Sequence, residues 1–335
     1  MGRYLLRRCL SSVPTLFGVT LLSFVLLRAA HRDPLLSRQT DARVAPQALV
    51  QLRAFFDLDQ PWPVQYARLV QRLVTLDLGN RWQDGRPIRD VLAEALPITL
   101  GLTCAAITLA YLIAVPLGVF SAVRRGSLLE RTLGVAVFML YSLPGFWLGT
   151  LLLVFLASGQ FLRCPGLPSA GCFPLQGWHS FSGFERMSPL AQLRDIVWHA
   201  ILPVATLTYP ALAAISRFTR AGMLDVLRQD YVRTARSKGL SERAVVFGHA
   251  LRNSLLPLVT LLALELPRLI GGSVIVESIF GIRGMGLVAL EAIRLPDYPL
   301  VITIVTLTAL CTLSGSLFAD VLYALLDPRL RERKV

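Results

Sequence analysis

The sequence has few charged residues for its length. Asp, Glu, Lys and Arg make up 16% of its 335 residues, against about a quarter in soluble domains. Lysine is almost absent, since only Lys238 and Lys334 are present. Hydrophobic residues make up 54%, and the mean hydropathy is +0.58. A soluble core of this length could not bury so much apolar surface, so the composition predicts an integral membrane protein.

Motifs for catalysis and metal binding are also missing from the sequence. It has no G-x-x-x-x-G-K-S/T phosphate loop, no H-E-x-x-H, no G-x-S-x-G and no C-x-x-C. The histidines, and the cysteines of the apolar runs, lack metal-ligand spacing: His31, His179, His199, His249, Cys9, Cys104 and Cys311. We therefore expect no catalysis by this chain, no metal site and no cofactor of its own.

Six apolar runs are long enough to cross a bilayer, which takes about 20 residues. They cover residues 9–28, 98–122, 132–157, 199–216, 255–276 and 300–326. No A-x-A cleavage site follows the first run, so we interpret it as an uncleaved span. Arginines cluster before the first run, between the second and third, between the fourth and fifth, and after the sixth. Six alternating spans put these clusters on one side, which predicts an all-α protein with both termini in the cytoplasm.

This topology divides the chain into five segments. They are the amino terminus with span one (1–28), an extracytoplasmic loop (29–97), spans two to four with a second extracytoplasmic loop at 158–198 (98–216), a cytoplasmic region (217–254), and spans five and six with the carboxyl terminus (255–335). In the first loop "PVQYARLVQRLVTLDLG" has apolar residues at helical spacing, which predicts an amphipathic helix in a small folded cap. In the second, Cys164 and Cys172 would form a disulfide in an oxidising compartment; two free thiols are the alternative.

The net charge of +13 comes almost wholly from arginine. In a soluble protein this charge would indicate nucleic-acid binding. In a membrane protein, arginines at the membrane edges face anionic lipid and fix the topology. We therefore expect contact with the lipid membrane and none with nucleic acid.

The most basic stretch predicts two short helices joined by a glycine turn. Asp230 can cap the first helix, "YVRTARSK", and Gly239 can adopt the left-handed conformation that ends it. Ser241 is a good N-cap for the second helix, "RAVVFGHALRN". Tyr231 and Ala235 share one face of the first helix with Lys238. We expect the small Ala235 to let a partner approach closely; a solvated loop that only fixes topology is the alternative.

"RTARSKG" followed by "HALRNSLLP" resembles the cytoplasmic coupling loop of ABC importer permeases, in the form used by the dipeptide/oligopeptide/nickel branch. Ala235 and Gly239 match the general pattern E-A-A-x-x-x-G, whereas Arg233 and Thr234 replace its Glu and first Ala. Four further stretches resemble the first of the two permease subunits in this branch: "RYLLRRCLSSVPTLFGVTLLSFVLLR", "YSLPGFWLG", "IGGSVIVESIFGIRGMG" and "DVLYALLDPRLR". The resemblance covers nearly the whole chain and implies the type I ABC importer permease fold.

The same resemblance implies a function in a bacterial inner membrane. The chain would move di- or oligopeptides from an extracytoplasmic binding protein to the cytoplasm by alternating access. It would pair with a homologous second permease and with two cytoplasmic ATPases that bind ATP and Mg²⁺. The residues implied in ATPase coupling are Asp230, Tyr231, Arg233, Ala235, Lys238, Gly239 and Leu240. Nickel, a metal chelate or another small peptide-like compound is the alternative cargo; a secondary transporter, which usually has inverted repeats and more spans, is less favoured.

Three ionisable residues near span five are candidates for function. Glu265 and Arg268 are spaced i, i+3 within an apolar run, and ionisable groups within a span indicate function by default. We expect them to line the path and contact charged substrate termini; a mutually neutralising pair at the subunit interface is the alternative. Glu277 matches a recurrent family glutamate and is expected at the outer gate or at the binding-protein contact, with capping of local structure as the alternative.

Overall fold

The computed structural model describes residues 2–30, 59–164, 171–295 and 297–326, and every named element within these ranges is helical. The helices are α1 (Gly2–Ala30), α2 (Trp62–Val74), α3 (Ile88–Val123), α4 (Leu128–Ser142), α5 (Gly145–Leu152, continued by the π-helical turn Leu153–Ala157), α6 (Pro189–Val226), α7 (Asp230–Ser237), α8 (Glu242–Ala244, then π-helical Val245–Ala250 and α-helical Leu251–Ser254), α9 (Leu256–Gly271), α10 (Val274–Ile279), α11 (Met285–Arg294) and α12 (Tyr298–Leu326). A short 3₁₀ turn, Phe184–Arg186, precedes α6.

Among the described residues, four helices are long and apolar enough to cross a membrane: α1, α3, α6 and α12. The pair α4 and α5 makes a fifth candidate, bent by 95° at its break. The predicted span 255–276 is not one helix, because α9 has 16 residues. That length is about 24 Å, less than the roughly 30 Å of a hydrocarbon core. An all-α membrane architecture is confirmed, and the number of six spans stays a prediction.

Proline causes the break between α4 and α5, and glycine causes the break between α9 and α10. Leu143 precedes Pro144 and is extended, with φ −80° and ψ 131°, because a proline ring clashes with a helical residue before it. The predicted span 132–157 is therefore two helices at a steep angle. Gly272 has a φ of +66° and ends α9, and Ser273 then caps α10 by accepting the N–H of Val276.

Small residues allow α3 and α6 to pack closely. One face of α3 carries a buried small residue at every fourth position: Ala106, Ala110, Ala114, Gly118 and Ala122. A Cβ added at Gly118 would lie 2.5 Å from Cβ of Thr219 and 2.7 Å from the backbone oxygen of Ser216, both on α6. Small faces of this kind are a common means of close approach between membrane helices. This pair forms the frame to which the other elements attach.

Three apolar clusters attach the other elements to one another. At the predicted outer end, Ile88 and Val91 of α3 pack with Met285 of α11 and Leu300 of α12. At the predicted cytoplasmic end, α8 packs on the ends of α3 and α6. The amphipathic helix predicted in the first outer loop is confirmed as α2, which packs through Tyr66 on α1 and α12. The part of that loop between residues 31 and 58 lies outside the described residues.

Candidate functional site

The basic stretch forms a helix, a glycine turn and a helix. Gly239 has a φ of +79°, and its N–H donates to the carbonyl of Arg236 at 2.9 Å. The N–H of Leu240 donates to the carbonyl of Ala235 at 3.4 Å. This pair of hydrogen bonds is a Schellman C-cap, in which the left-handed residue is usually glycine. The turn at Gly239 therefore has the predicted conformation and ends α7.

The two caps of this stretch differ from each other. Ser241 caps α8 as predicted, since its Oγ accepts the N–H of Ala244 at 3.3 Å. Asp230 does not cap α7: Gln229 holds the N-cap position without a side-chain bond, and Asp230 is the first helical residue. There its negative charge still complements the positive end of the helix.

Ala235 faces inward rather than towards a partner. It is 6% exposed and packs with Val232 of α7 and Val245 of α8, which are fully buried. The expectation that Ala235 leaves room for a partner on the surface is therefore wrong. Its small side chain instead lets α7 lie against α8, and Nδ2 of Asn253 donates to the hydroxyl of Tyr231 at 2.7 Å across the same interface.

The other predicted coupling residues lie on the surface of this segment: Asp230, Tyr231, Arg233, Lys238, Gly239 and Leu240. Tyr231 and Leu240 are each 42% exposed, and the side chain of Arg233 is 75% exposed. Aromatic residues and arginine are enriched at protein interfaces. We name residues 230–254 the coupling segment.

The coupling segment is fixed to the two central helices. Val246 and Ala250 of α8 pack with Val119 of α3 and Met223 of α6. A Cβ at Gly222 of α6 would lie 3.2 Å from the backbone oxygen of Ser254. A displacement of the segment would therefore be transmitted to the ends of α3 and α6.

Glu277 lies in a buried hydrogen-bonded cluster at the opposite end of the bundle. We name this cluster the Glu277 lock; its other members are Thr99, Ser273, Met285 and Leu287. Its side chain is 2% exposed. Oε1 accepts from the hydroxyl of Thr99 at 3.1 Å and from the N–H of Ser273 at 3.2 Å, and Oε2 accepts from the N–H of Leu287 at 2.8 Å. The oxygen of Thr99 in turn accepts the N–H of Met285 at 2.8 Å.

The lock ties three helices together. Thr99 belongs to α3, Glu277 to α10, and the N–H groups of Met285 and Leu287 open α11. The carboxylate and hydroxyl thus cap the start of α11, where a negative charge is favoured. This is the capping role considered as the alternative for Glu277. Because the side chain is buried, it offers no surface to a binding protein in this conformation, and a role in the outer gate stays a prediction.

Thr99→Val should lower the free energy of unfolding by about 2 kcal/mol, because Glu277 and the N–H of Met285 both lose a buried partner. Denaturant titration of the purified protein in detergent measures the change. Thr306→Val on α12 is the matched control, since that buried hydroxyl bonds only the carbonyl of Ile302 one turn earlier among the described contacts. An equal loss in the two variants would contradict the lock.

Sequence reasoning missed a second buried polar cluster near the lock. Nε of Arg81 lies 3.6 Å from Oδ2 of Asp297, and the two side chains are 2% and 0% exposed. The N–H of Trp82 donates to the same oxygen at 3.1 Å. Burial raises the pKa of Asp297 above its usual value. The N–H groups of Leu300 and Trp82 and the charge of Arg81 offset only part of this rise. The cluster fastens the predicted first outer loop to the start of α12.

The predicted pair in span five is only half described. Glu265 lies half-buried on α9, which packs against α3. The hydroxyl of Tyr111 donates to the carbonyl of Leu258 at 2.8 Å. The side chain of Arg268 lies outside the described residues, so the pairing stays a prediction.

A disulfide and two backbone hydrogen bonds hold the described part of the predicted second outer loop. Cys164 and Cys172 are joined, with Cα atoms 4.9 Å apart. The N–H of Cys172 donates to the carbonyl of Leu156 of the α5 π-turn at 2.8 Å. The N–H of Gly177 donates to the carbonyl of Phe280 at 2.9 Å, next to the Glu277 lock.

Known proteins match this chain over its full length. Residues 114–332 match the family described as "Binding-protein-dependent transport system inner membrane component", and residues 1–103 match the amino-terminal family of the same membrane component. The oligopeptide transport system permease protein AppB of Bacillus subtilis is 36% identical over 98% of this chain and 99% of its own. The dipeptide transport system permease protein DppB of Escherichia coli is 34% identical over 100% of both chains.

A solved structure shares the fold at low sequence identity. It is the inward-facing MetNI methionine ABC transporter, with a TM-score of 0.53 and 18% identity. The match covers 98% of that chain and 72% of this one, so this protein adds further segments to the shared core. By family, helical architecture and fold, the chain belongs to the binding-protein-dependent transport system inner membrane components, as a multi-pass permease of the bacterial inner membrane with the type I ABC importer fold.

Proposed function

We propose that this permease imports di- or oligopeptides, paired with a homologous second permease and driven by two separate ATPases that bind ATP and Mg²⁺. One observation carries the proposal: an exposed coupling segment packs directly on the ends of the two central helices. The sequence has no phosphate loop of its own, which supports an energy source on other chains. The peptide cargo rests on the relatives, which are named as oligopeptide and dipeptide permeases.

In this mechanism both termini of the permease face the cytoplasm, and a binding protein delivers substrate on the outer side. Closure of the ATPases moves the coupling segment, and α3 and α6 follow because α8 is packed on their ends. The outer ends of α3, α10 and α11 are held together by the Glu277 lock. Rearrangement between these two ends would expose the path alternately to either side of the membrane.

Reconstitution in liposomes tests the proposed function. We expect peptide uptake and peptide-stimulated ATP hydrolysis only when this chain is combined with the second permease, the ATPases and the binding protein. Omitting ATP should abolish uptake while leaving peptide binding to the binding protein unchanged. Peptide flux through liposomes that contain this chain alone would overturn the ATP-driven mechanism.

Glu265→Gln should raise the KM for peptide uptake about tenfold if Glu265 meets the positive amino terminus of the substrate, because a hydrogen bond to a charged group is worth about 1.5–3 kcal/mol. Uptake kinetics in the reconstituted system measure it. Glu185→Gln, in the exposed 3₁₀ turn, is the control and should leave KM unchanged. Normal kinetics with an unchanged substrate range in Glu265→Gln would exclude Glu265 from the path.

A further inference from the structure

An apolar groove lies between α3 and α8 at the predicted cytoplasmic end of the bundle, and we name it the inner groove. Its volume is about 680 Å³. On α3 its wall includes Leu112, Leu117 and Val123, and on α8 it includes Val246 and Phe247. Leu112, Val123 and Phe247 are 67%, 52% and 57% exposed. The described part of the chain therefore leaves a large apolar surface open along the last turns of α3.

The inner groove reaches about halfway through a bilayer. α3 ends at Val123 and Arg124 follows directly, so this end of the helix lies at the membrane surface. Leu112 lies 11 residues before Val123, which is about 16 Å at 1.5 Å per residue. Half of a hydrocarbon core of roughly 30 Å is about 15 Å. The groove therefore has the length of an acyl chain in one leaflet, which is the cytoplasmic leaflet in the predicted topology.

Three arginines surround the groove where α3 ends and α8 begins: Arg124, Arg125 and Arg243. We name them the rim arginines. Arg243 lines the groove. The guanidinium of Arg124 lies 5.4 Å from the ring of Phe120, which also lines it, and Arg125 is exposed beside Arg124. None of the three takes part in an ion pair among the described residues, so their charges are available to a ligand.

The carboxylates closest in sequence do not neutralise the rim arginines. Glu242, which also lines the groove, is bound by Arg236, whose Nε lies 2.7 Å from Oε1. Glu130 is bound by Arg220 at 2.6 Å. Asp225, near the end of α6, is exposed and forms no ion pair within the described ranges. Three positive charges against one unpaired carboxylate leave the rim positive.

We propose that the inner groove binds an anionic phospholipid of the cytoplasmic leaflet. The rim arginines contact the phosphate, and one acyl chain lies along α3 towards Leu112. Arginine suits this ligand because its N–H groups match two phosphate oxygens at once, and basic pockets between spans on the cytoplasmic side bind anionic headgroups. Because α8 forms one wall, the lipid would brace the coupling segment against α3.

Two protein occupants fit the inner groove less well. An ATPase is a cytoplasmic domain, whereas Leu112 lies about 16 Å inside the apolar part of the membrane. A span of the second permease crosses both leaflets, whereas the groove covers one, and an apolar span brings no negative charge to the rim arginines. A phospholipid matches both the length and the charge.

Native mass spectrometry of the full-length chain with its co-purifying subunits tests the proposal, in detergent supplied with equal amounts of phosphatidylglycerol and phosphatidylcholine. We expect phosphatidylglycerol to be preferred, by about fivefold for each arginine that contacts the phosphate. Arg124→Gln with Arg243→Gln should lose most of this preference, whereas Arg124→Lys with Arg243→Lys should keep most of it. Equal retention of the two lipids by the unmodified protein would overturn the proposal.

Arg228→Gln with Arg252→Gln is the matched control, because both arginines are exposed in the same predicted cytoplasmic region and lie outside the groove. This variant should retain phosphatidylglycerol as the unmodified protein does; an equal loss would reduce the site to a general effect of basic charge. Leu117→Trp, which fills the groove without changing any charge, should lower the retention of both lipids. Unchanged retention in that variant would exclude the acyl chain from the groove and overturn the proposal.

A photo-cross-linking residue, benzoylphenylalanine, in place of Leu112 identifies the occupant of the groove in the same preparation. We expect adducts with phospholipid. An adduct with a co-purifying protein would show a protein in the groove and contradict the assignment. The choice of leaflet rests on the predicted orientation, but lipid retention is measured without transport, so a failure of peptide import would leave these results unchanged.

Discussion

Gly272→Ala should be the most destabilising single-methyl change in the described part of the chain, lowering the free energy of unfolding by at least about 3 kcal/mol. A left-handed conformation costs a residue with a Cβ roughly 1–2 kcal/mol. The added Cβ would also lie 2.4 Å from Oε1 of Glu277 and 2.8 Å from the backbone nitrogen of Gly286. The carboxylate would have to leave its donors, and a buried donor without a partner costs about 1–3 kcal/mol.

Gly183→Ala separates the backbone cost of a left-handed alanine from the cost of displacing the Glu277 carboxylate. Gly183 has a φ of +80°, and no atom lies within 4 Å of a Cβ added there, so this variant has the backbone cost alone. Denaturant titration of both proteins in detergent should give losses that differ by about 2 kcal/mol. If the two losses are equal, the carboxylate is not held against Gly272 and the lock does not determine the stability of this end of the bundle.

Local patterns were sufficient to predict several elements. Runs of apolar residues predicted the spans α1, α3, α6 and α12, because spanning a bilayer requires about 20 apolar residues. Helical spacing predicted α2, and the glycine turn at Gly239 with the cap at Ser241 followed from the preferences of those residues for special conformations. Each of these predictions depends only on neighbours within a few residues.

Contacts between distant segments were not predictable in the same way. Glu277 meets Thr99 across a sequence separation of 178, and nothing near either residue indicates the other. Arg81 and Asp297 are a similar case, although Asp297 directly before Tyr298 carries the local signal of an N-cap. The sequence prediction for Ala235 is wrong because spacing shows which residues share a face but not which face is buried. The 95° break at Leu143 depends on how α5 packs, whereas Pro144 alone indicates only that a helix is interrupted.

Gly239→Pro should uncouple ATP hydrolysis from transport while leaving membrane insertion intact. Proline fixes φ near −65° and has no N–H, so it cannot adopt the φ of +79° at this position or donate to Arg236. The Schellman cap would open, and α7 would lose its fixed angle to α8. The turn lies on the surface, and the span α6 ends before it at Val226, so insertion should not change. In the reconstituted complex we expect peptide uptake to fall at least about tenfold, by analogy with misplaced catalytic elements, while ATP hydrolysis continues without stimulation by peptide.

Gly239→Ala tests whether coupling depends on the angle between α7 and α8 or only on the presence of the coupling segment. No atom lies within 4 Å of a Cβ added at Gly239, so alanine adds only the left-handed cost of roughly 1–2 kcal/mol and keeps the N–H. The cap should persist in most molecules, since packing of Val232 and Ala235 on Val245 holds α7 in place. We therefore expect coupling to survive in the alanine variant. If both variants stay coupled, the stretch is only a topology signal. If both lose coupling, force transmission depends on the left-handed glycine itself rather than on the closed cap.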